Sequence, residues 1–253
     1  MQYTCAYFNK SNMTLDEAQL AKMKLIAKKL DLKPKMTILD IGRGFGSLGY
    51  YLAKEHNVNV LGVTLSKEQH KYAQNNYYHP NLKIELKDYR NIKTKTGFDR
   101  VFSVGMFEHV GKENYKEYYD TCYNLLKKNG IMLLHTICNN KRNTDHNTFI
   151  NEYIFPEGQP PHTSDFTASY TDKWMLEDIH NFGLSYEKTL MYWYNNLENW
   201  KDLEHLDSKF KRIWTYYLLG SSASFKSKSC YLLQLVYTKL NNERVDNCHH
   251  IRN

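Results

Sequence analysis

The fold is decided by residues 37–46, TILDIGRGFG, in which a short apolar run ends at a cluster of glycines. The apolar run predicts a buried strand, and the residues that follow predict a helix through Leu48, Tyr51 and Leu52. Glycines at a strand-to-helix turn let the backbone bend tightly and approach a ligand at the carboxyl end of the strand. The segment therefore favours a site for a nucleotide or a related cofactor, with ordinary turn glycines as the alternative.

Strand and helix patterns alternate through the rest of the first half. A capping box, in which Glu17 follows Thr14 by three residues, begins a helix that runs to about Leu30. Further helices are predicted at 66–75 and 112–126, and strands at 58–63, 83–86, 99–104 and 131–135, with Gly130 after the last helix. Such alternation is typical of βαβ units, so we predict a doubly wound α/β fold with a mostly parallel, seven-stranded sheet.

The pattern changes after Ile137. Residues 138–170 are rich in Asn, Pro, Thr and His with little periodicity, and we interpret residues 138–182 as an inserted functional loop or cap. Beyond residue 170 we predict a helix near Lys173–Asn181, an aromatic strand Tyr186–Tyr194, a helix from about Leu197 to Leu219, and an antiparallel final strand Tyr231–Thr238. Residues 1–240 then form one catalytic domain, and 241–253 a flexible tail.

The chain has 253 residues and a formal charge of +7 at pH 7. This charge favours anionic partners such as phospholipid membranes, nucleic acids or acidic metabolites, although a solvated basic surface would give the same count. The lysines are dispersed and form no basic stripe, which argues against nucleic acid. No stretch approaches the ~20 apolar residues of a spanning helix, so we expect membrane contact to be peripheral.

The five cysteines show neither the spacing of a zinc site nor a disulfide framework; they are Cys5, Cys122, Cys138, Cys230 and Cys248. A reducing compartment is the simplest interpretation. The first five residues lack the cationic and apolar regions of a signal peptide. We therefore expect a cytoplasmic protein that associates peripherally with membranes and holds no metal.

The end of the second strand indicates which cofactor the glycine turn serves. Dehydrogenases place an acidic residue there to bind the ribose of NAD, but this chain has Thr64, with Gln69 one helical turn later. Asp40, directly before the glycines, also suits methyltransferases better than dehydrogenases. These residues favour S-adenosylmethionine, although Thr64 could instead serve the N-terminus of the next helix.

Five segments in order resemble the cyclopropane fatty acid synthase and mycolic acid methyltransferase family. They are Tyr3–Phe8, Gly62–Ser66, Ser103–Gly111, Leu133–Ile137 and Arg212–Leu218. The resemblance runs from residue 2 to about 239, and it implies that residues 138–182 form a helical, lipid-binding insertion. Bacterial relatives often carry an extra N-terminal domain, so the resemblance predicts that this chain corresponds to the catalytic domain.

The resemblance implies a reaction and a set of catalytic residues. The reaction is methylene transfer from S-adenosylmethionine to the cis double bond of an unsaturated phospholipid acyl chain. Attack on the methyl group leaves a carbocation, and a bound bicarbonate is held to take the proton whose loss closes the ring. The resemblance places the bicarbonate among the backbone at Cys5 and Ile137, the side chains of His135 and Tyr217, and Glu108. A buried anion needs such convergent donors.

The predicted cofactor site combines the glycine turn, the end of the second strand and positions that match the family. Tyr89 and Arg90 match the place where the family frames adenine. The full set is Tyr3, Thr4, Asp40, Gly42, Gly44, Thr64, Leu65, Gln69, Tyr89 and Arg90.

The chain departs from the family pattern in the glycine turn. Asp-x-Gly-Cys-Gly-Trp-Gly-Gly is replaced by residues 40–47, DIGRGFGS, so that Arg43 stands where the family has a small residue. Arg43 could turn to solvent, pair with the cofactor carboxylate, or block the pocket. Two alternative functions therefore stay open, a small-molecule (amine) methyltransferase and a degenerate, cofactor-impaired homologue, and a homodimer is not excluded.

Overall fold

The computed structural model describes residues 2–142, 148–167, 169–170, 172–200, 206–240 and 242. The strands are β1 (Thr37–Ile41), β2 (Asn59–Thr64), β3 (Leu82–Leu86), β4 (Phe98–Val104), β5 (Leu126–Asn139), β6 (Trp174–Asn181) and β7 (Cys230–Lys239). The helices are α1 (Leu15–Lys29), α2 (Ser47–His56), α3 (Lys67–Asn76), α4 (Tyr115–Leu125), α5 (Thr148–Tyr153), α6 (Thr163–Thr167), α7 (Leu184–Glu198) and α8 (Ser208–Lys226).

The strands form one seven-stranded sheet in the order β3-β2-β1-β4-β5-β7-β6. Strands β1 to β5 pair in parallel, and β7 runs antiparallel between β5 and β6. The prediction of a mostly parallel sheet with an antiparallel final strand is confirmed. Strand order reverses between β1 and β4, so their carboxyl ends border the crevice where such sheets bind ligands.

Helix α1 begins as its sequence predicts. The Thr14 side chain accepts a hydrogen bond from the Glu17 amide at 3.3 Å, and the Glu17 carboxylate accepts one from the Thr14 amide at 2.8 Å. The buried face of α1 includes Lys22 and Lys29 as well as apolar residues. Two lysines therefore enter the interior on the helix that covers the N-terminal segment.

Two predicted elements of the second half have the wrong type. Residues near Lys173–Asn181 form strand β6 rather than a helix, hydrogen-bonded along β7. The predicted strand Tyr186–Tyr194 lies inside helix α7, whose buried residues Tyr186, Thr189, Leu190 and Leu197 recur at helical spacing. Aromatic composition suggested the strand, but the 3.6-residue period decides the element because burial follows that period.

Two boundaries also differ from the prediction. The helix expected from Leu197 to Leu219 is divided: α7 ends at Glu198, and α8 begins at Ser208, where the Asp207 side chain accepts from the Lys209 amide at 3.0 Å. Residues 201–205 lie outside the described part of the chain. Gly130 lies within β5 rather than after a helix, because β5 begins directly at Leu126. The predicted tail, apart from Asn242, also lies outside the described residues.

Apolar clusters cover both faces of the sheet and one further region. Tyr118 and Tyr119 of α4 pack on one face, and Ile26 of α1 and Leu52 of α2 pack on the other. A third cluster joins α7, α8 and the N-terminal segment around Cys5. The segment with α5 and α6 joins this region through the Gln159 amide, which donates to the Glu108 carbonyl at 2.7 Å.

Candidate active site

Two adjoining cavities lie at the carboxyl ends of the parallel strands. The larger has a volume of about 670 Å³ and the smaller about 110 Å³. Four residues line both cavities: Tyr3, Thr4, Gly105 and His109. The N-terminal segment and the turn after β4 therefore form the wall that the two cavities share.

The glycine turn forms part of the lining of the larger cavity. Gly42 has a φ of 72°, and a Cβ added there would lie 2.4 Å from Cγ of Met106. The amides of Gly42 and Arg43 both donate to the carbonyl of Val63, at 3.0 and 3.2 Å. Glycine is thus required at position 42 for its backbone conformation and for space, and the turn is tied to β2.

All ten residues predicted for the cofactor line the larger cavity. They are Tyr3, Thr4, Asp40, Gly42, Gly44, Thr64, Leu65, Gln69, Tyr89 and Arg90. Ser66 is the N-cap of α3, with its hydroxyl accepting from the Gln69 amide at 3.2 Å, while the Thr64 hydroxyl meets the Gln69 side chain at 3.1 Å. The Thr64 hydroxyl also accepts from the Ser66 amide at 3.2 Å, so Thr64 supports the N-terminus of α3 while Ser66 caps it.

Arg43 is buried beneath the glycine turn. Its side chain is 6% exposed and lies against Gly62, where a Cβ would come within 2.6 Å of the Arg43 Cδ. None of its three guanidinium nitrogens has a hydrogen-bond partner among the described residues, nor has Oδ2 of Asp40. Burial raises the pKa of Asp40 to about 7, although the charge of Arg43 opposes this. The alternative in which Arg43 turns to solvent is therefore wrong.

Glu108 lies in the short helical turn after β4 and lines the smaller cavity. Its Oε1 accepts a hydrogen bond from the Ile137 amide at 2.7 Å, and its Oε2 has no partner among the described residues. Burial raises the pKa of Glu108 to about 7, despite the opposing effect of the Ile137 amide. This carboxyl group can therefore take up or share a proton near neutral pH.

His135 on β5 faces the same cavity as a neutral donor. Nε2 of Gln234 lies 3.1 Å from its Nδ1, and an amide nitrogen only donates, so Nδ1 accepts and Nε2 holds the proton. Nε2 has no partner among the described residues. Burial, together with the charges of Lys22 and Lys29, holds the pKa of His135 well below 6.5.

Cys5 and Ile137 complete the group of four predicted catalytic residues that line the smaller cavity. The Cys5 thiol is fully buried and donates to the Ala6 carbonyl at 3.1 Å. Burial raises its pKa far above that of a free thiol, so it stays protonated and is no nucleophile.

Tyr217, the fifth predicted residue, lies one layer behind the smaller cavity. Its hydroxyl is hydrogen-bonded to Tyr3, and its ring meets Phe155 with centroids 5.9 Å apart. Tyr3 and Phe155 both line the cavity, and Tyr3 also stacks on Trp193 at 5.3 Å. Tyr217 therefore reaches the cavity through Tyr3 in this structure.

Sequence reasoning missed several residues of the site. Met106 covers Gly42, His109 lines both cavities, and the buried Lys22 holds the N-terminal segment. Met106 and His109 belong to the segment that carries the family resemblance. Lys22 could have been found because it shares a helix face with Ala18 and Leu25, four residues before and three after it.

Apart from Thr4 and His109, most of the remaining wall of the smaller cavity is apolar and includes Ile150, Phe155, Pro160, Tyr186 and Leu232. The third apolar cluster adjoins it through Tyr186, Leu232 and Tyr217. A long apolar ligand could reach Glu108 and His135 from this side. Among the described residues, none of the helices is both long and apolar enough to span a bilayer.

A sequence model described as mycolic acid cyclopropane synthetase matches residues 1–235. The chain is 43% identical over 241 residues to a cyclopropane-fatty-acyl-phospholipid synthase of Escherichia coli K12, with 94% of this chain and 62% of that protein covered. This chain therefore spans less than two thirds of the length of that relative.

Solved structures are similar over almost the whole chain. The cyclopropane synthase MmaA2 from Mycobacterium tuberculosis superposes with a TM-score of 0.86 at 29% identity, covering 93% of this chain and 89% of that one. The mycolic acid cyclopropane synthase CmaA1, in complex with SAH and CTAB, gives a TM-score of 0.84 at 29% identity with the same coverage.

Proposed function

The chain belongs to the mycolic acid cyclopropane synthetase family and has the class I S-adenosylmethionine-dependent methyltransferase fold, and from this premise we propose that it converts unsaturated phospholipid acyl chains into cyclopropane derivatives. The observation that carries the proposal is a pair of buried atoms, Oε2 of Glu108 and Nε2 of His135, that have no hydrogen-bond partner among the described residues and lie in a small cavity beside a larger one. Buried polar atoms without partners indicate a ligand that would complete them.

The larger cavity fits S-adenosylmethionine. Its polar wall includes Thr64 and Gln69 after β2, and the bare backbone of Gly42 and Gly44 allows the amino-acid end of the cofactor to approach closely. Tyr89 offers a half-buried ring for adenine, and Arg90 is already held by Asp88 at 2.6 Å. When bound, the cofactor supplies an electrophilic methyl group, to which the double bond of the substrate donates its electron pair.

Ring closure then requires the loss of one proton from the transferred methyl group. The freed C–H electron pair forms the last of the three carbon–carbon bonds of the cyclopropane ring, and the proton passes to a base. We assign this base to a bicarbonate in the smaller cavity, which the Nε2–H of His135 and the backbone near Cys5 would hold, while the Ile137 amide holds the carboxyl group of Glu108 beside it. Glu108 shares a proton with it, since two unprotonated anions would repel each other there. Tyr217 positions Tyr3 from behind.

Product analysis tests this function. The full chain is incubated with methyl-labelled S-adenosylmethionine, bicarbonate and vesicles of unsaturated phospholipid, and the fatty acids are examined by gas chromatography and mass spectrometry. We expect a cyclopropane fatty acid that has gained one labelled CH2, and no product from saturated vesicles. Transfer of the labelled methyl group to small amines, with none transferred to lipid, would support the small-molecule alternative. Folded protein that binds S-adenosylhomocysteine yet forms no product would falsify the proposal.

The buried Arg43 favours a second candidate, a homologue impaired in cofactor binding. A guanidinium without a hydrogen-bond partner in the described part of the chain places positive charge beneath the turn, close to the site of a cationic sulfonium. Calorimetry with S-adenosylhomocysteine and S-adenosylmethionine on the wild type and on Arg43→Cys separates the candidates. If Arg43→Cys binds S-adenosylmethionine more tightly than the wild type does, with no gain for S-adenosylhomocysteine, the guanidinium impairs cofactor binding electrostatically. If the wild type and Arg43→Cys bind S-adenosylmethionine equally well, this candidate is excluded.

Peripheral membrane association is supported by one exposed face of α5 and α8. Tyr153 and Tyr216 are exposed there, and Lys209 lies 5.5 Å from the Tyr153 ring. Aromatic and basic side chains together suit an anionic lipid surface. The double variant Lys209→Glu/Arg212→Glu should bind anionic vesicles about tenfold or more weakly in sedimentation assays, at roughly 1 kcal/mol per neutralised charge. Lys54→Glu, on the exposed face of α2, is the control.

A further inference from the structure

Two lysines of α1 are buried completely but differ in their partners. Lys29 meets the carboxylate of Asp178 at 2.9 Å. Lys22, seven residues earlier, has no carboxylate within 4.0 Å among the described residues. Its ammonium donates instead to two neutral oxygens, Oε1 of Gln2 at 2.7 Å and Oγ1 of Thr4 at 2.6 Å. The ammonium group of Lys22 is therefore hydrogen-bonded, but no carboxylate among the described residues balances its charge.

An unbalanced ammonium is costly in the interior, because removing a cation from water needs a compensating anion. Burial lowers the pKa of Lys22 to about 7. The ionisable groups that interact with it do not supply the missing charge, since Cys5 stays a thiol and His135 stays neutral. Near neutral pH Lys22 is thus only partly protonated, and its ammonium form has no counter-ion among the described residues.

The partners of Lys22 are parts of the site. Thr4 lines both cavities, and its carbonyl accepts from the Gln19 side chain at 3.0 Å. Gln2 lines the larger cavity and donates to the Ser47 hydroxyl at 2.6 Å, directly after the glycine turn. Lys22 therefore fixes the N-terminal segment against the start of α2.

We propose that Lys22 is a positioning residue of the reaction, whose ammonium holds Thr4 in the shared wall and balances the charge of the anion in the smaller cavity. This rests on the proposed function, which places bicarbonate in that cavity. Cys5 and His135, which both interact electrostatically with Lys22, line the smaller cavity. The charge of Lys22 would thus act on the anion across Cys5 and His135, and Lys22 itself would not contact the reacting atoms.

Thermodynamic linkage makes the proposal measurable. An anion that is stabilised by protonated Lys22 must in turn raise the pKa of Lys22. Glu108, the other group that titrates near neutrality beside the cavity, takes up a proton under the same influence. Total proton uptake therefore cannot separate the two groups, and Lys22 has to be observed by itself.

Nuclear magnetic resonance of the full chain with isotopically labelled lysine side chains observes it. Lys22→Met identifies the signal, and titration follows its pKa with sodium chloride or with saturating sodium bicarbonate. We expect bicarbonate to raise the pKa of Lys22 by about one unit or more and to leave that of Lys29 unchanged. The same pKa in both salts overturns the proposal, whatever product analysis gives for the reaction.

Variants separate charge from simple support of the wall. Lys22→Met removes the charge, Thr4→Val removes an acceptor but keeps the ammonium, and Lys24→Met on the exposed side of α1 is the control. We expect Lys22→Met to raise the half-saturating bicarbonate concentration about tenfold, and more than it weakens S-adenosylhomocysteine binding, while Thr4→Val affects both about equally. If Lys22→Met weakens bicarbonate and S-adenosylhomocysteine binding equally, Lys22 has only a structural role and the proposed effect of its charge is overturned. If that variant does not fold, the resonance titration of the wild type decides.

Discussion

The two cavities share a wall but differ in how their polar groups are satisfied. Most polar side chains of the larger cavity already have partners: Arg90 holds Asp88, and Thr64 meets Gln69. In the smaller cavity, Glu108 and His135 each keep one buried atom without a partner among the described residues. The larger cavity can thus recognise its ligand by shape and backbone, whereas the smaller one depends on a polar ligand to complete it.

The two cavities should therefore respond differently to substitutions. Substitutions in the larger cavity should act mainly on cofactor affinity and those in the smaller cavity on turnover. Arg43 and Asp40 are the exceptions, because they are unpartnered polar groups at the larger cavity. Each of the following predictions tests one side of this contrast.

The largest effect is expected for Glu108→Gln. The amide keeps the shape of the side chain but cannot share a proton with the anion, so turnover should fall about 10²- to 10³-fold. Affinity for S-adenosylhomocysteine, measured by calorimetry, should change less than about threefold, because the larger cavity is untouched. Glu55→Gln, on an exposed face of α2, is the control. A loss of affinity as large as the loss of turnover would remove the distinction between the cavities.

The pH dependence of stability should reveal the same carboxyl group. The pKa of Glu108 is raised from 4.5 to about 7, so the folded protein binds more protons than the unfolded chain between these values. Stability from this group is complete below pH 4.5 and is lost as the pH rises to 7, by on the order of 3 kcal/mol. In urea unfolding, Glu108→Gln should lose less stability over this range than the wild type does. Parallel curves would contradict the raised pKa.

Gly42→Ala should affect the larger cavity. A methyl group there would meet Met106 and force an unfavourable φ, so we expect affinity for S-adenosylhomocysteine to fall about tenfold or more. Gly220→Ala is the matched control, since a Cβ on that helical glycine meets no atom within 4 Å. Unchanged affinity in Gly42→Ala would show that the turn does not shape the cofactor site.

The smallest effect is expected for Arg43→Met, which keeps the apolar stem and removes a buried guanidinium that has no hydrogen-bond partner among the described residues. We expect the free energy of unfolding to increase by about 1–2 kcal/mol. Arg90→Met, which removes an exposed ion pair, should decrease it by about 1 kcal/mol or less. Chemical denaturation measures both. Destabilisation by Arg43→Met would mean that the guanidinium has a partner in solution.

Local patterns predicted the first half of the fold well. The strand and glycine turn at 37–46 and the cap at Thr14 depend on neighbouring residues, and the structure has both. The same reasoning failed for Lys173–Asn181, predicted as a helix, and for Tyr186–Tyr194, where aromatic composition suggested a strand. Strand β6 depends on pairing with β7, which lies about 60 residues further along the chain, so its own sequence does not specify it.

By itself the sequence determined the alternating strands and helices of the first half, the family and the ten residues around the larger cavity, because these follow from short patterns along the chain. Only the tertiary structure decided that Arg43 is buried and that Lys22, unlike Lys29, meets no carboxylate in the part of the chain that the structure describes. It also decided that Gln234 orients His135 from 99 positions away. The physical reason is that the charge state and hydrogen bonds of a side chain depend on which distant residues exclude water from it, and no local pattern records that.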